Sequence, residues 1–326
     1  MAIKVTPEYI DLLNRAVERE IQVSIQYILQ HGKMEKIAKR VIPENILLDQ
    51  TTYDAVGKIL RDFAIAEMKH AADIMERIYY LGGQATTKAS TPKIGNSISE
   101  FAKNGVKAEE EALTLYREII KTAEQMGDWQ TKDLFEKIYR QEEEHLFKFQ
   151  EYSSFQDEKE EASSAPLPEW RKIYTEDYFA LLNKAVAAEI TGIIQYTNQH
   201  EKQALLELRT KNTPLETVKG TNKTAVISEI LKKVFMQEMD HLEKISERIY
   251  LLEGEATFKP DPLPVVGANA DDFIRLDHKL ESDTILLYRQ IIAEALKRND
   301  TTTRRMFEDI IIQEEEHFWT FDDFVR

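Results

Sequence analysis

Four of the chain's seven histidines stand three residues after a glutamate, as Glu67 and His70, Glu142 and His145, Glu238 and His241, and Glu314 and His317. At that spacing a carboxylate and an imidazole share one face of a helix and can reach the same point. The other three histidines follow Ile28, Thr197 and Arg275 at the same interval. Carboxylate and imidazole are the donor pair that suits iron or manganese, whereas structural zinc is more often closed by sulfur. Glu142 and His145 interrupt the apolar run Phe135, Ile138, Phe149 and Tyr152, and Glu67 and His70 interrupt Ile59, Phe63, Ile74 and Ile78. Two lone acids fall the same way, Glu20 among Leu13, Val17, Ser24 and Tyr27, and Glu109 among Phe101, Gly105, Leu113 and Tyr116. Unpaired carboxylates inside a core cost several kcal/mol each and repel one another. Two divalent cations would balance four of them.

The elements that carry these residues are written twice. Leu12-Leu13-Asn14-Arg15-Ala16-Val17-Glu18-Arg19-Glu20-Ile21 returns as Leu181-Leu182-Asn183-Lys184-Ala185-Val186-Ala187-Ala188-Glu189-Ile190. Glu67-Met68-Lys69-His70 returns as Glu238-Met239-Asp240-His241, and Gln141-Glu142-Glu143-Glu144-His145 as Gln313-Glu314-Glu315-Glu316-His317. Glu109 precedes Glu142 by 33 residues, and Glu281 precedes Glu314 by 33. A solvated acidic face would not keep step with apolar stripes in both copies. Each copy reads as four helices. The first opens at Thr6-Pro7-Glu8, the second stops at Gly82-Gly83, and Gly127-Asp128 turns the third sharply into the fourth. So short a turn demands antiparallel neighbours. The stretch from Gly82 to Asn96, and its counterpart from Gly254 to Asn269, is long enough to cross over the length of a bundle. Long connections are expected from His31 to about Thr52 and from His200 to about Thr221. The fold class is therefore all-α, with domains at 1–160 and 170–326 joined by a charged, Pro/Ser-rich linker at 161–169.

Composition sets the outer bounds. The 326 residues are enough for two ordinary cores. With no cysteine there are no disulfides, thiolate metal sites or cysteine nucleophiles. A net charge of −15 suits cations and disfavours nucleic acid. No apolar run is long enough for a membrane span, and no basic-then-apolar start marks export, so a cytoplasmic protein is expected.

At these residues the chain resembles two fused bacterioferritins, within the ferritin-like di-iron carboxylate superfamily. The resemblance implies two tandem four-helix bundles with a long crossover between second and third helices, packed as a pseudo-twofold dimer. It implies two di-iron centres, of iron or manganese, that oxidise Fe(II) with dioxygen or hydrogen peroxide in iron homeostasis and oxidative protection. Carried over by position, Glu20 and Glu109 are terminal ligands, Glu67 and Glu142 bridging ones, and His70 and His145 the imidazoles. In the second copy the same roles fall to Glu189, Glu281, Glu238, Glu314, His241 and His317. Bacterioferritins also bind haem b between two subunits through a methionine just after the second-helix glutamate, here Met68 and Met239. Two readings of that pair stay open, a haem at the interface between the halves and plain apolar packing. Tyr27 and Tyr196, two turns beyond a lone glutamate, read either as electron donors to the centre or as core tyrosines. His31 and His200 read as dipole contacts at first-helix ends. Only nine residues follow His317, so the fifth helix that helps close a bacterioferritin cage is missing, which argues against a 24-subunit shell though not against a smaller homo-oligomer. Rubrerythrins differ by an extra glutamate, where this chain has Ala112, and by a cysteine-ligated iron domain. Two other functions fit the same residues: a di-iron oxidase or oxygenase acting on an organic substrate, and a haem-containing electron carrier.

Overall fold

The computed structural model describes residues 5–40, 46–154, 169–210 and 218–325. The chain divides into two compact units, Met1–Glu160 and Glu161–Arg326. In the first unit lie α1 (Pro7–Arg40), α2 (Ile46–Tyr80), α3 (Ile98–Met126) and α4 (Trp129–Tyr152). In the second lie α5 (Glu176–Thr210), α6 (Val218–Leu251), α7 (Ala270–Lys297) and α8 (Thr301–Val325). Of the linker expected at 161–169, residues 161–168 lie outside the described residues, and Glu169 opens a short 3-10 turn, Glu169–Ile173.

Each unit is a four-helix bundle. α1 packs on α2 and α3, and α4 packs on α3 and α2; α5 to α8 repeat the scheme. The apolar stripes close the core, with Leu13, Val17, Phe101, Tyr116, Ile119 and Phe135 fully buried in the first unit. Residues 81–97 form the crossover, and polar side chains of α1 hold it along nearly the whole helix. Asn14 accepts from the Thr86 amide (2.8 Å), Gln26 from the Lys93 amide (2.8 Å), and Lys33 donates to the Gly95 carbonyl (3.1 Å). From Asn14 to Lys33 that is ~28 Å of helix, so the crossover's orphan backbone groups are paired by side chains rather than by a sheet. Asn183, Gln195 and Lys202 do the same for the second crossover.

The first helix of each unit is longer than the sequence pattern suggests. α1 runs nine residues past His31, and α5 ten past His200, where long connections are expected. The extension has tertiary partners: Met34 is buried and Lys33 reaches the crossover. His31 and His200 therefore sit inside helices rather than at their ends. Their Nδ1 atoms meet the Gly57 and Ser228 carbonyls, each at 2.8 Å, which ties α1 to α2 and α5 to α6.

The turn between third and fourth helices is built alike in both units. Gly127 (φ 70°) and Asn299 (φ 56°) take the left-handed conformation that ends the helix, which glycine and asparagine adopt at least cost. Asp128 then caps α4 through the Thr131 amide (3.1 Å), accepts from the Tyr9 hydroxyl (3.0 Å) on α1, and pairs with Arg77 (2.5 Å) on α2. Asp300 repeats this with Thr303 (3.1 Å), Tyr178 (3.2 Å) and Arg248 (2.8 Å). One buried carboxylate thus locks the helix ends of a unit together.

Candidate metal centre

Midway along each bundle the four helices bring the paired and lone acids to one place. Each unit holds two overlapping groups whose donor atoms lie within 4.8 Å of one another. In the first unit these are Glu20, Glu67, His70 and Glu142, and Glu67, Glu109, Glu142 and His145. In the second they are Glu189, Glu238, His241 and Glu314, and Glu238, Glu281, Glu314 and His317. Glu67 with Glu142, and Glu238 with Glu314, belong to both groups of their unit, while each lone glutamate belongs to one. All eight carboxylates are at most 3% exposed. The glutamates between them in sequence, Glu143 and Glu144, are exposed.

The imidazoles face inward through Nδ1. His70 Nδ1 lies 3.0 Å from Glu67 and 3.1 Å from Glu142, and His145 Nδ1 lies 2.9 and 3.3 Å from the same two residues. Donors held at ~2.1 Å around one ion, ~90–110° apart, are separated by ~3.0–3.4 Å. The ring centroids of His70 and His145 are 6.2 Å apart, as are those of His241 and His317, which leaves room for two ions ~3.5–4 Å apart. The outer nitrogens are tied by glutamines: His70 Nε2 to Gln141 (2.9 Å) and His241 Nε2 to Gln313 (2.8 Å). Such a partner fixes the ring orientation and leaves the inner nitrogen to ligate. Both Glu142 oxygens, one oxygen each of Glu20, Glu189 and Glu314, and His317 Nδ1 are buried without a hydrogen bond. Orphaned donor atoms converging on one point are what a cation pair would satisfy.

The electrostatics agree. Burial pushes the Glu20 carboxyl up to about 8, and it raises Glu109, Glu189 and Glu281 as well. Burial also opposes the charge of Glu67, Glu142, Glu238 and Glu314, but the facing imidazoles, joined at Glu238 by a hydrogen bond from Glu189, outweigh it and hold these four below the usual carboxylate range. The imidazoles resist their own burial through the same carboxylates, His145 rising to about 10 and His317 to about 9. The clusters thus keep protons that divalent ions would displace.

The tyrosines cross the site. Tyr27, two turns beyond Glu20, donates to Glu109 on α3, and Tyr196 donates to Glu281 (2.5 Å). Tyr288, two turns beyond Glu281, returns the contact to Glu189. Its counterpart Tyr116 is met instead by Arg19 (3.5 Å), a residue the sequence reading passes over. Arg19 pairs with Glu109 and Glu20 (3.2 Å) and donates to the Ala108 carbonyl (3.0 Å). Its sequence signal is the replacement of the charged pair Glu18-Arg19 by Ala187-Ala188 between matching flanks of the two repeats. Met68 and Met239 are buried, each one residue beyond a clustered glutamate and ~100° around the helix from it.

A family model described as the ferritin-like domain matches residues 45–154 and again residues 218–326. A bacterioferritin of Desulfovibrio desulfuricans is 28% identical over 146 residues, 44% of this chain and 74% of that protein. One from Brucella melitensis is 28% identical over 145 residues, 44% of this chain and 81% of its own length. Among solved structures, that of the Desulfovibrio desulfuricans bacterioferritin, with its diiron site in different catalytic states, is 26% identical, covers 49% of this chain and 83% of its own, and has a TM-score of 0.41. A Rhodobacter capsulatus bacterioferritin, with a metal-free dinuclear site and a heme iron, is 27% identical, covers 46% and 86%, and has a TM-score of 0.40.

Proposed function

The chain belongs to the ferritin-like domain family, and from that premise we propose that each of its units binds a pair of Fe(II) ions and oxidises them to Fe(III), with dioxygen or hydrogen peroxide as the electron acceptor. The observation that carries this reading is the pair of overlapping four-donor groups buried in each unit, with carboxylate oxygens left unbonded inside them. An oxygen-rich set with one imidazole per ion and no thiolate tolerates both iron charges. Glu67 and Glu142, shared by both groups, are the bridging ligands, and Glu20 and Glu109 the terminal ones; Glu238, Glu314, Glu189 and Glu281 repeat this. His70, His145, His241 and His317 ligate through Nδ1. Tyr27 and Tyr196 orient Glu109 and Glu281 by donating their hydroxyls to those carboxylates.

The opening at the second cluster supports small inorganic reactants over an organic substrate. It is a pocket of about 10 Å³ whose walls include Glu189, Gly192, Glu238, Glu281 and Glu314, room for about one water and far below the ~300 Å³ at which sites for organic ligands begin. The test is to strip the chain of metal, load it with Fe(II) without oxygen, and then add dioxygen or peroxide. Fe(II) should be consumed well above the rate in buffer, two ions for each hydrogen peroxide reduced to two waters. The Glu67→Ala, Glu238→Ala double variant should fall to the buffer rate. Oxidation no faster than buffer with either acceptor would sink the reading.

A further inference from the structure

The two clusters carry the same four carboxylates and two imidazoles but not the same charge. Arg19, on the α1 residue just before Glu20, folds into the first cluster with its side chain only 11% exposed. Besides its bonds to Glu109, Glu20 and the Ala108 carbonyl, it approaches Glu142 (3.9 Å), and its guanidinium lies 5.8 Å from the centre of the Tyr116 ring. In the second unit the position is Ala188, and Ala188 and Gly192 line the open pocket at the cluster. Two divalent ions would bring the second cluster's four negative charges to zero. In the first, Arg19 has already supplied one positive charge, so two divalent ions would leave a net positive charge in a desolvated core.

The contact bears unequally on the two positions: Glu20, in the His70 group, meets Arg19 through one oxygen and keeps the other unbonded, whereas both oxygens of Glu109 are taken. Glu109 takes part only in the group that contains His145, not in the group that contains His70. Tyr27 bonds one Glu109 oxygen and Arg19 the other. An ion entering on the His145 side must draw Glu109 away from a charged partner, whereas among the described residues no arginine pairs with the equivalent Glu281, which accepts from Tyr196. We propose that Arg19 is a tethered counter-ion that weakens the His145-side metal position of the first unit, so that the chain holds three divalent ions tightly and a fourth weakly. This rests on the reading of both clusters as metal sites. Breaking one charge-assisted hydrogen bond corresponds to ~10–100-fold in affinity.

The full-length chain, stripped of metal, can be titrated with Co(II) under anaerobic conditions. Calorimetry counts the ions and the visible spectrum reports their coordination. Three tight ions and one bound ~10–100-fold more weakly are expected, with Arg19→Ala making all four alike. His145→Ala and His317→Ala decide the matter without altering Arg19: the first should leave the tight count at three, the second should lower it to two. Four equal ions in the unaltered chain, or equal loss from the two histidine variants, would overturn the proposal while leaving the metal sites standing. No bound Co(II) in either unit would instead remove the metal reading itself.

Discussion

Two places in each unit are built around buried carboxylates, and only one of them is the same in both units. At the turn before the fourth helix, Asp128 and Asp300 meet the same partners: a threonine, a tyrosine and an arginine at matching positions. At the clusters, the first unit adds Arg19 where the second has Ala188, and Tyr288 contacts Glu189 where Tyr116 meets the arginine. Farther along the third helix the second unit buries Asp277 against Gln195 (2.8 Å), where the first has Gly105 packed under Phe149. The corner serves the fold, which both units need alike. The interior around the clusters has diverged in charge, and charge at a buried site changes ion affinity directly.

The largest expected effect separates the two clusters by activity. At Fe(II) concentrations that fill only tight positions, Glu238→Ala with Glu314→Ala should lower the oxidation rate ~10-fold, because a complete pair is lost. Glu67→Ala with Glu142→Ala should lower it less than ~2-fold, the first unit being only half loaded under those conditions. Equal losses from the two double variants would erase the functional difference between the units.

Next in size is a test of the shared corner. Asp128→Ala and Asp300→Ala each strand an arginine and remove a helix cap, which should cost ~3–5 kcal/mol in either unit. Denaturant unfolding followed by circular dichroism measures both. Unequal costs would mean that the corner has diverged too, despite its matching bonds.

The smallest effect concerns Asp277, whose carboxyl burial pushes up to about 8. An aspartate in the unfolded chain titrates near ~3.9, so the folded protein alone holds this proton between ~4 and ~8, and stability falls as pH rises through that window. Below ~4 both states are protonated and the penalty vanishes. Asp277→Asn should therefore raise the melting temperature by ~5 °C at pH 8 and leave it unchanged near pH 4. A gain that persists at pH 4 would assign the effect to packing rather than to charge.

Much of the protein was legible from residue order. The repeat, the helical periods and the step of Glu and His within apolar stripes follow from a 3.6-residue turn, which places i, i+3 and i+4 on one face whatever the surroundings. On that basis the twelve glutamates and histidines singled out as ligands from the sequence all fall within the four donor groups. The extent of the first helices was not legible, because residues beyond His31 stay helical only through contacts such as Met34 in the core and Lys33 on the crossover. The tyrosines show the same limit: their stripes were readable, but not that Tyr27, Tyr196 and Tyr288 reach across to the opposite lone glutamate while Tyr116 meets Arg19.

The sequence by itself determined two helical bundles with acids and imidazoles turned into their cores, since periodicity is a property of one helix alone. Tertiary packing decided which charges share a cavity. Arg19 lies ~100° around α1 from Glu20, an angle that reads as a neighbouring face. Only the approach of α3, with Glu109 and the Ala108 carbonyl, folds its guanidinium into the cluster. Contacts between helices far apart in sequence depend on distances that no local period encodes.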